Sequence, residues 1–198
     1  MTTAPVRRGR PGHSRDSLLD VAVAVFHERG YDATSMEELA GRLGITKSAI
    51  YHHVPGKSEL LRLALDRALD ALFAVLDEPG ARSGPAISRL EHVVRASVRV
   101  LTEEMPFVTL LLRVRGNSPV EQAALQRRRD FDRVVTALVR AAEQEGDVRP
   151  DVDPAVTSRL LFGTVNSLVE WYRPDRALDA AALADALVST MFDGLRAR

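Results

Sequence analysis

The chain contains no cysteine among its 198 residues. Disulfides, thiolate nucleophiles and zinc sites built on cysteine are therefore excluded. Histidine offers little in their place, because His52 and His53 are adjacent and cannot both face one ion from a helix. No H-E-x-x-H sequence occurs either. We therefore expect neither a metal nor a cofactor.

Long hydrophobic runs are missing as well. No apolar stretch approaches the roughly 20 residues that a membrane-spanning helix needs, and the N-terminus has no hydrophobic signal-peptide core. With 45% hydrophobic and 27% charged residues, the composition is typical of a globular chain. We expect a cytoplasmic protein without membrane association.

The common catalytic signatures are also missing. The sequence contains no G-x-S-x-G element, no phosphate-binding P-loop and no Rossmann glycine fingerprint. These absences favour a binding protein over an enzyme.

The stretch that begins at Ser35 is the most informative part of the chain. Ser35 and Glu38 form a capping box at the start of a helix. An apolar face follows at helical spacing and comprises Met36, Leu39, Ala40 and Leu43. Gly44 ends this helix because glycine accepts a positive φ. Thr46 caps the next helix, which must be brief because Pro55 disfavours helix just before it.

The second of these helices has a polar outward face. Ile50 and Val54 lie four residues apart and, with Ile45, can face inward. The opposite face holds Lys47, Ser48, Tyr51 and His52. Residues 39–58 contain no Asp or Glu, although 27 acidic residues balance 27 Lys and Arg over the whole chain. Because a surface that approaches phosphates should have this composition, the sequence predicts a DNA-binding helix-turn-helix.

These residues resemble the DNA-binding signature of tetracycline-repressor (TetR)-type transcriptional regulators. The main motif is matched by Gly44, Ile45, Thr46, Lys47, Ile50, Tyr51, His53, Lys57 and Leu60. An upstream element of that family is matched by Phe26, Gly30, Tyr31, Thr34 and Ser35. Val54 stands where the family usually has Phe, a difference that concerns packing more than DNA contact.

The periodicity predicts an all-α fold. We expect helices at 15–29 and 57–77, two short helices within 35–54, and further helices near 85–104, 106–115, 118–145, 154–172 and 179–196, with a loop over 79–85. Asp153 and Asp179 suit N-caps, and Pro106, Pro119 and Pro154 suit first helical turns. The resemblance implies a three-helix DNA-binding domain over residues 1–56, with its helix-turn-helix at 35–54. A C-terminal helical domain for ligand binding and dimerisation would occupy residues 57–198.

Residues 1–13 form a basic arm that contains R-R-G-R-P. Such arms can lie in the DNA minor groove, where arginine is attracted by the negative potential, so Arg10 is a candidate DNA contact. The alternative is a tail that only improves solubility. In the helix-turn-helix, we predict that Lys47, Ser48, Ala49, Tyr51 and His52 contact the groove. We assign Thr34, Ser35 and Lys57 to the phosphates.

The central helices mix polar with apolar residues, which suggests a ligand pocket. Its predicted lining is Phe107, Leu110, Leu111, Phe131, Phe162 and Asn166, with Arg113 and Arg128 as candidate cations. Arginine beside an apolar cavity suits an acidic or phosphate-bearing ligand. The bland alternatives are a solvated arginine face and a satisfied core amide at Asn166. The stretch 161–174 also resembles the equivalent helix of TetR-type regulators that respond to acyl-CoA thioesters.

The resulting hypothesis is a homodimeric repressor that binds a palindromic double-stranded DNA operator and is released by a small hydrophobic effector, such as an acyl-CoA. The alternative is a helix-turn-helix protein without a small-molecule ligand, whose C-terminal half serves only dimerisation or a protein partner. A cavity of several hundred Å³ in that half would favour the first hypothesis.

Overall fold

The computed structural model of the chain describes residues 14–173 and 179–196. The predicted basic arm, with Arg10, lies outside the described residues. The described chain is helical, and it has no strand apart from one isolated bridge between Val148 and Arg196. The predicted all-α fold is confirmed.

Ten α-helices follow one another along the described chain. They are α1 (Arg15–Arg29), α2 (Met36–Leu43), α3 (Lys47–His53), α4 (Lys57–Ala74), α5 (Pro79–Arg82), α6 (Ala86–Glu103), α7 (Met105–Arg113), α8 (Pro119–Gln144), α9 (Pro154–Trp171) and α10 (Ala180–Phe192). A short 3₁₀ turn, Val75–Asp77, extends α4. The predicted N-caps are present, since Asp153 accepts from the Val156 amide at 2.8 Å and Asp179 from the Ala182 amide at 2.7 Å.

One predicted loop is wrong. Residues 79–85 were expected to be irregular, yet Pro79–Arg82 forms the one-turn helix α5. Proline presets the backbone for a first helical position, which explains why a Pro-Gly sequence opens a helix here. Gly80 faces α6 so closely that a Cβ would lie 2.4 Å from Nδ1 of His92. The glycine therefore serves close helix packing and is not a chain breaker.

The chain divides into two compact units. The first ends at Leu63, and the second begins at Ala64. This boundary lies inside α4, whereas the sequence interpretation placed the division at 56/57, before that helix. The first turns of α4 thus group with α1, α2 and α3, and its later turns group with the C-terminal helices.

The N-terminal unit has a small core to which α1, α2 and α3 all contribute buried side chains. Leu18, Ala22 and Phe26 are buried along one face of that helix, and the Phe26 ring meets the edge of Tyr31 with ring centroids 5.3 Å apart.

In the C-terminal unit, α6 packs against α5, α7, α8, α9 and α10. Its buried positions include Leu90, Val93, Val94, Val98 and Leu101. Phe131 of α8 makes edge-on contacts with Phe73, at 5.7 Å between ring centroids, and with Phe162, at 5.2 Å. Such aromatic pairs add about 0.5–1.5 kcal/mol each beyond the area that they bury. This core surrounds the cavity described below.

The connection between α7 and α8 is held by a buried carboxylate. Oε2 of Glu121 accepts the backbone N–H groups of Arg115, Gly116 and Asn117 at 2.9, 2.8 and 3.1 Å. Burial alone would raise the pKa of this carboxyl, but these donors and Ser118 outweigh burial and hold the pKa below its ordinary value. The charged form is therefore the one that the fold stabilises.

We expect Glu121→Gln to lower the free energy of unfolding by about 1–3 kcal/mol at neutral pH, because an amide accepts these three bonds less well than a carboxylate. Since the native pKa is lowered, this contribution is present above the pKa of the unfolded chain and disappears as the pH falls through the native pKa. Urea unfolding at one protein concentration, at pH 7 and at about pH 3, measures the effect. Glu143→Gln, on the same helix, is the control. A wild-type advantage that does not depend on pH would contradict this assignment.

Candidate nucleic-acid interface and ligand cavity

The turn between α2 and α3 has helix-turn-helix geometry. Ser35 Oγ accepts the Glu38 amide at 3.2 Å, and Thr46 Oγ1 accepts the Ala49 amide at 3.2 Å, so each helix is capped as predicted. Gly44 takes the left-handed conformation with φ 66°. The reciprocal half of the predicted capping box is replaced, because the Glu38 carboxylate pairs with Arg29 at 2.5 Å.

Helix α3 buries one face and exposes the other. Ile50 and Val54 are fully buried, and Ile45 is partly buried. Tyr51 is 47% exposed. The α3 outer face, as we call it, comprises Lys47, Ser48, Ala49, Tyr51 and His52, of which only Ala49 is partly covered. The structure thus brings together the five residues predicted to contact the groove.

One acidic residue adjoins this face and was missed in the sequence. The Lys47 ammonium forms an ion pair with the Glu37 carboxylate of α2. The hydrogen bond lowers the pKa of Glu37 and raises the pKa of Lys47. The acid-free segment begins only at Leu39, and α2 brings Glu37 back to the start of α3. The Lys47 ammonium of this structure is therefore paired with a carboxylate.

The three residues assigned to phosphates are placed differently from one another. Ser35 is exposed, and its hydroxyl keeps a free hydrogen because its oxygen serves as the acceptor in the cap. Thr34 is only 3% exposed and donates to the Gly30 carbonyl at 2.8 Å. The Lys57 ammonium donates to the carbonyls of Tyr31 and Asp32 at 2.7 and 3.1 Å. Thr34 and Lys57 therefore hold the loop between α1 and α2, and of these three only the Ser35 side chain stands free at the surface.

The C-terminal unit contains a cavity within its helical core. Its unoccupied space is about 560 Å³ including the opening, and the centre of a water molecule can reach about 50 Å³ of that space. The lining is Ala68, Leu72, Ser97, Val100, Leu101, Val108, Leu111, Leu112, Arg128, Phe131, Asp132, Phe162, Val165 and Asn166. Most of these side chains are apolar, and a few polar groups stand among them, as in small-molecule sites.

Five of the eight residues predicted for the ligand line this cavity, namely Leu111, Arg128, Phe131, Phe162 and Asn166. The other three do not. Phe107 and Leu110 are buried on another face of α7, where the Arg67 guanidinium covers the Phe107 ring at 4.1 Å. Arg113 is exposed at the end of α7. Positions 108, 111 and 112 share the face of α7 that meets the cavity, and the sequence interpretation placed the lining one residue out of phase.

The three consecutive arginines of α8, residues 127–129, have different surroundings. Arg127 bonds to Asp66 and Asp70 at 3.0 and 2.6 Å, and Arg129 bonds to Gln126 at 3.1 Å. Only Arg128 lines the cavity, where burial lowers its pKa and Asp132 partly offsets this effect.

The polar groups of the cavity include two that the sequence did not indicate. Ser97 is buried, and its hydroxyl has no hydrogen-bond partner among the described residues. Asp132 is exposed on one side, yet the surrounding protein removes enough water to raise the pKa of its carboxyl, against the influence of Arg128 and Arg159. A serine between an alanine and a valine gives no periodic signal, and an aspartate between Phe131 and Arg133, close to an arginine triplet, resembles a solvated residue.

The C-terminal helices also carry exposed apolar side chains. Val156, Leu160 and Trp171 on α9 are 51%, 61% and 53% exposed. Small exposed residues, Gly163, Thr164 and Ser167, lie between them on the same helix. This surface, from Val156 to Trp171, is called the α9 apolar face below.

Residues 14–173 and 179–196 contain no cluster of three or more His, Asp or Glu side chains placed to hold a metal ion. None of the helices within these ranges combines the length and the apolar character that a membrane span requires.

Two family models match the chain. The N-terminal domain described as "Bacterial regulatory proteins, tetR family" matches residues 18–64, and "Tetracyclin repressor-like, C-terminal domain" matches residues 83–195. The first match contains α2, α3 and the turn between them, and the second contains most of the cavity lining.

Individual proteins of known sequence or structure agree with these matches. The chain is 54% identical to SCO3833, a member of the TetR transcriptional regulator family from Streptomyces coelicolor A3, with TM-score 0.85 over 100% of this chain and 96% of that one. It is 27% identical to the transcriptional repressor KstR2 of Rhodococcus jostii over 94% of this chain and 93% of that protein. It is 25% identical to AibR, crystallised with isovaleryl coenzyme A and operator DNA, with TM-score 0.78 over 90% of this chain and 97% of AibR.

Proposed function

The chain belongs to the TetR family of bacterial regulatory proteins, whose members are DNA-binding transcriptional regulators and not enzymes, and on that basis we propose that it is a homodimeric repressor released from a palindromic operator by a small acyl effector. The observation that carries the DNA role is the α3 outer face, which a buried Ile50 turns toward solvent. The repressor activity of similar proteins such as KstR2 supports the sign of regulation.

The α3 outer face would contact base edges and phosphates in the major groove. Ser48 and Tyr51 supply hydroxyls, His52 a ring, and Lys47 an ammonium group, all on one side of a two-turn helix. A recognition helix of this length reads few bases, so specificity is gained by pairing two half-sites. Ser35, at the N-terminus of α2, would donate to a phosphate.

DNA binding by Lys47 involves an exchange of partners. The ammonium leaves the Glu37 carboxylate and meets a phosphate, and Glu37 then lies near the negative backbone. Both side chains are exposed, so the exchange exposes little new charge and depends on the salt concentration. Glu37 thus reduces affinity for any DNA, which keeps nonspecific binding weak.

Dimerisation would use the α9 apolar face together with α10. Leu160 and Trp171 are large apolar side chains in solvent, and the small residues between them allow a second helix to approach closely. Apolar patches of this kind on soluble chains mark interaction sites. Two copies related by a two-fold axis would present two α3 helices, as a palindromic operator requires.

The effector would occupy the cavity of the C-terminal unit. Its 50 Å³ of space accessible to water centres corresponds to about three to five water-sized groups at roughly 10–15 Å³ each, which suits a short acyl chain. The carbonyl could accept from Ser97 or Asn166. AibR, a similar protein, was crystallised with isovaleryl coenzyme A, and this supports a short-chain acyl-CoA as the effector class.

Helix α4 would carry the response. Ala68 and Leu72 line the cavity, and the same helix begins at Lys57, whose ammonium holds the loop before α2. An effector that binds one position of α4 better than another shifts the equilibrium between them by its difference in affinity, and by no more.

We expect Glu37→Gln to strengthen operator binding and Lys47→Ala to weaken it for all DNA sequences. Without the lysine, the slope of log affinity against log salt should become shallower by about 0.9 for each phosphate that is no longer neutralised. Fluorescence anisotropy at several salt concentrations measures both the affinity and the slope. Arg82→Ala, which removes an exposed arginine paired with Asp77 in the C-terminal unit, is the control. An unchanged slope for Lys47→Ala would show that Lys47 does not neutralise a phosphate.

The α9 apolar face predicts the oligomeric state. Leu160→Asp should shift the protein from dimer toward monomer, because it places a charge in the centre of the proposed interface. Val134→Asp, at a 39% exposed apolar position of α8, should leave the dimer intact. Sedimentation equilibrium distinguishes the two species. A dimer that persists in Leu160→Asp at low concentration would place the interface elsewhere.

The proposed function as a whole is tested with the DNA just upstream of the chain's own gene. Anisotropy should show tight binding that a short-chain acyl-CoA releases at lower concentration than a long-chain one, in a panel from acetyl-CoA to palmitoyl-CoA. Tight binding that no compound disturbs would favour a helix-turn-helix protein whose C-terminal half serves only dimerisation or a protein partner. Absence of binding at low salt would overturn the DNA role itself.

A further inference from the structure

A second concave surface of the C-terminal unit has arginine at four of its eight lining positions. It lies between α8 and α9, and water-molecule centres can reach about 530 Å³ of it, compared with about 50 Å³ in the cavity. Its lining is Arg129, Asp132, Arg133, Thr136, Arg140, Ala155, Ser158 and Arg159. We call this surface the arginine groove. It is open on one side and has room for a large polar group.

The cations of the arginine groove are poorly matched by acids. Arg133 is paired with Asp130, and among the described residues Arg129 bonds to the neutral amide of Gln126. Arg140 and Arg159 make no hydrogen bond or ion pair with any other described residue, although Arg159 is near enough to Asp132 to oppose in part the rise in its pKa that burial causes. Elsewhere in the described chain most arginines are bonded to a carboxylate.

Helical spacing keeps these charges together. Positions 129, 133 and 140 lie within about three turns of α8 and face the same side, and Arg159 meets them from α9. Like charges held at this spacing repel one another and reduce the stability of the free protein. Such a groove concentrates anions, and guanidinium groups match phosphate oxygens through paired hydrogen bonds.

The arginine groove adjoins the cavity. Asp132 lines both surfaces. Its carboxyl is influenced by Arg128, which lines the cavity, and by Arg159, which lines the groove. The two surfaces therefore meet at Asp132, and a ligand that extended from the cavity past this residue would reach the arginines.

We propose that the arginine groove binds the phosphate groups of the effector, so that the effector is recognised in two parts: an acyl end in the cavity and a phosphate-bearing end on Arg140 and Arg159. This inference rests on the proposed acyl effector and assigns a site for the part that the cavity is too small to hold. Coenzyme A thioesters have this two-part chemistry, since several phosphates are joined to the acyl group by a long polar arm. Arg129 and Arg133 lie at the side of the same groove and add to its positive potential.

The test uses the full-length protein with coenzyme A and with pantetheine, which has the polar arm without the nucleotide phosphates. Calorimetric titration at low salt should show binding of coenzyme A to the wild type and an affinity at least about tenfold lower in Arg140→Gln/Arg159→Gln, because the variant cannot form two charge-assisted hydrogen bonds. Binding of pantetheine should be the same in both proteins. Arg82→Gln/Arg149→Gln is the matched control, since it removes the same charge from exposed arginines paired with Asp77 and Asp151.

Equal affinity of the wild type and the groove variant for coenzyme A would overturn the inference, as would the absence of coenzyme A binding to the wild type. Operator binding without effector should be unchanged in the groove variant, which also shows that the variant folds. If an acyl-pantetheine released the operator as well as the corresponding acyl-CoA, the groove would not belong to the effector site, while ligand-controlled repression would stand. If coenzyme A binding depended on Arg140 and Arg159 but no acyl-CoA released the operator, the groove would be supported and the proposed effector response overturned.

Discussion

In both candidate sites of this chain, a helix buries an apolar face in the core and turns its polar residues away from that face. In α3, the burial of Ile50 and Val54 leaves Lys47, Tyr51 and their neighbours no direction except outward. In α8, the burial of Phe131 and Val135 in the core sends the arginines of the same turns toward the groove with α9. The polar residues are thus turned away from the core by the apolar residues beside them in the sequence.

Charged residues at the edge of a buried helix face are partly removed from water. Arg128 and Asp132 lie one turn apart on α8 and stand between the dry core and the open groove. Partial burial disfavours the charged form of each, so it lowers the pKa of Arg128 and raises the pKa of Asp132. Arg128 and Asp132 are the charged residues that line the otherwise mainly apolar cavity. On the α3 outer face, by contrast, Lys47 keeps its charge in solvent, and its ionic partner Glu37 is exposed as well.

The sequence predicted those features that depend on neighbours along the chain. The caps at Ser35, Thr46, Asp153 and Asp179 and the turn at Gly44 follow from local chemistry, and the structure has them all. The features that were missed depend on residues distant in sequence or on the rotation of a helix. The Lys47–Glu37 pair requires α2 and α3 to be folded together, and the exclusion of Phe107 and Leu110 from the cavity requires knowing which side of α7 meets α8 and α9. The helix at 79–82 was missed because proline and glycine often end helices. Proline also favours the first turn of a helix, and glycine also allows two helices to approach closely.

The hydroxyl of Ser97 relates the empty and the filled states of the cavity. A buried hydroxyl without a partner costs the folded chain about 1–3 kcal/mol, and no described residue removes that cost. A ligand carbonyl oxygen that accepted a hydrogen bond from Ser97 would remove this cost. The free energy gained in this way would add to the affinity for that ligand. A hydrocarbon of the same shape would gain nothing from this group. If the proposed effector binds in this cavity, the Ser97 hydroxyl would favour a molecule that can accept its hydrogen bond over a hydrocarbon of equal size.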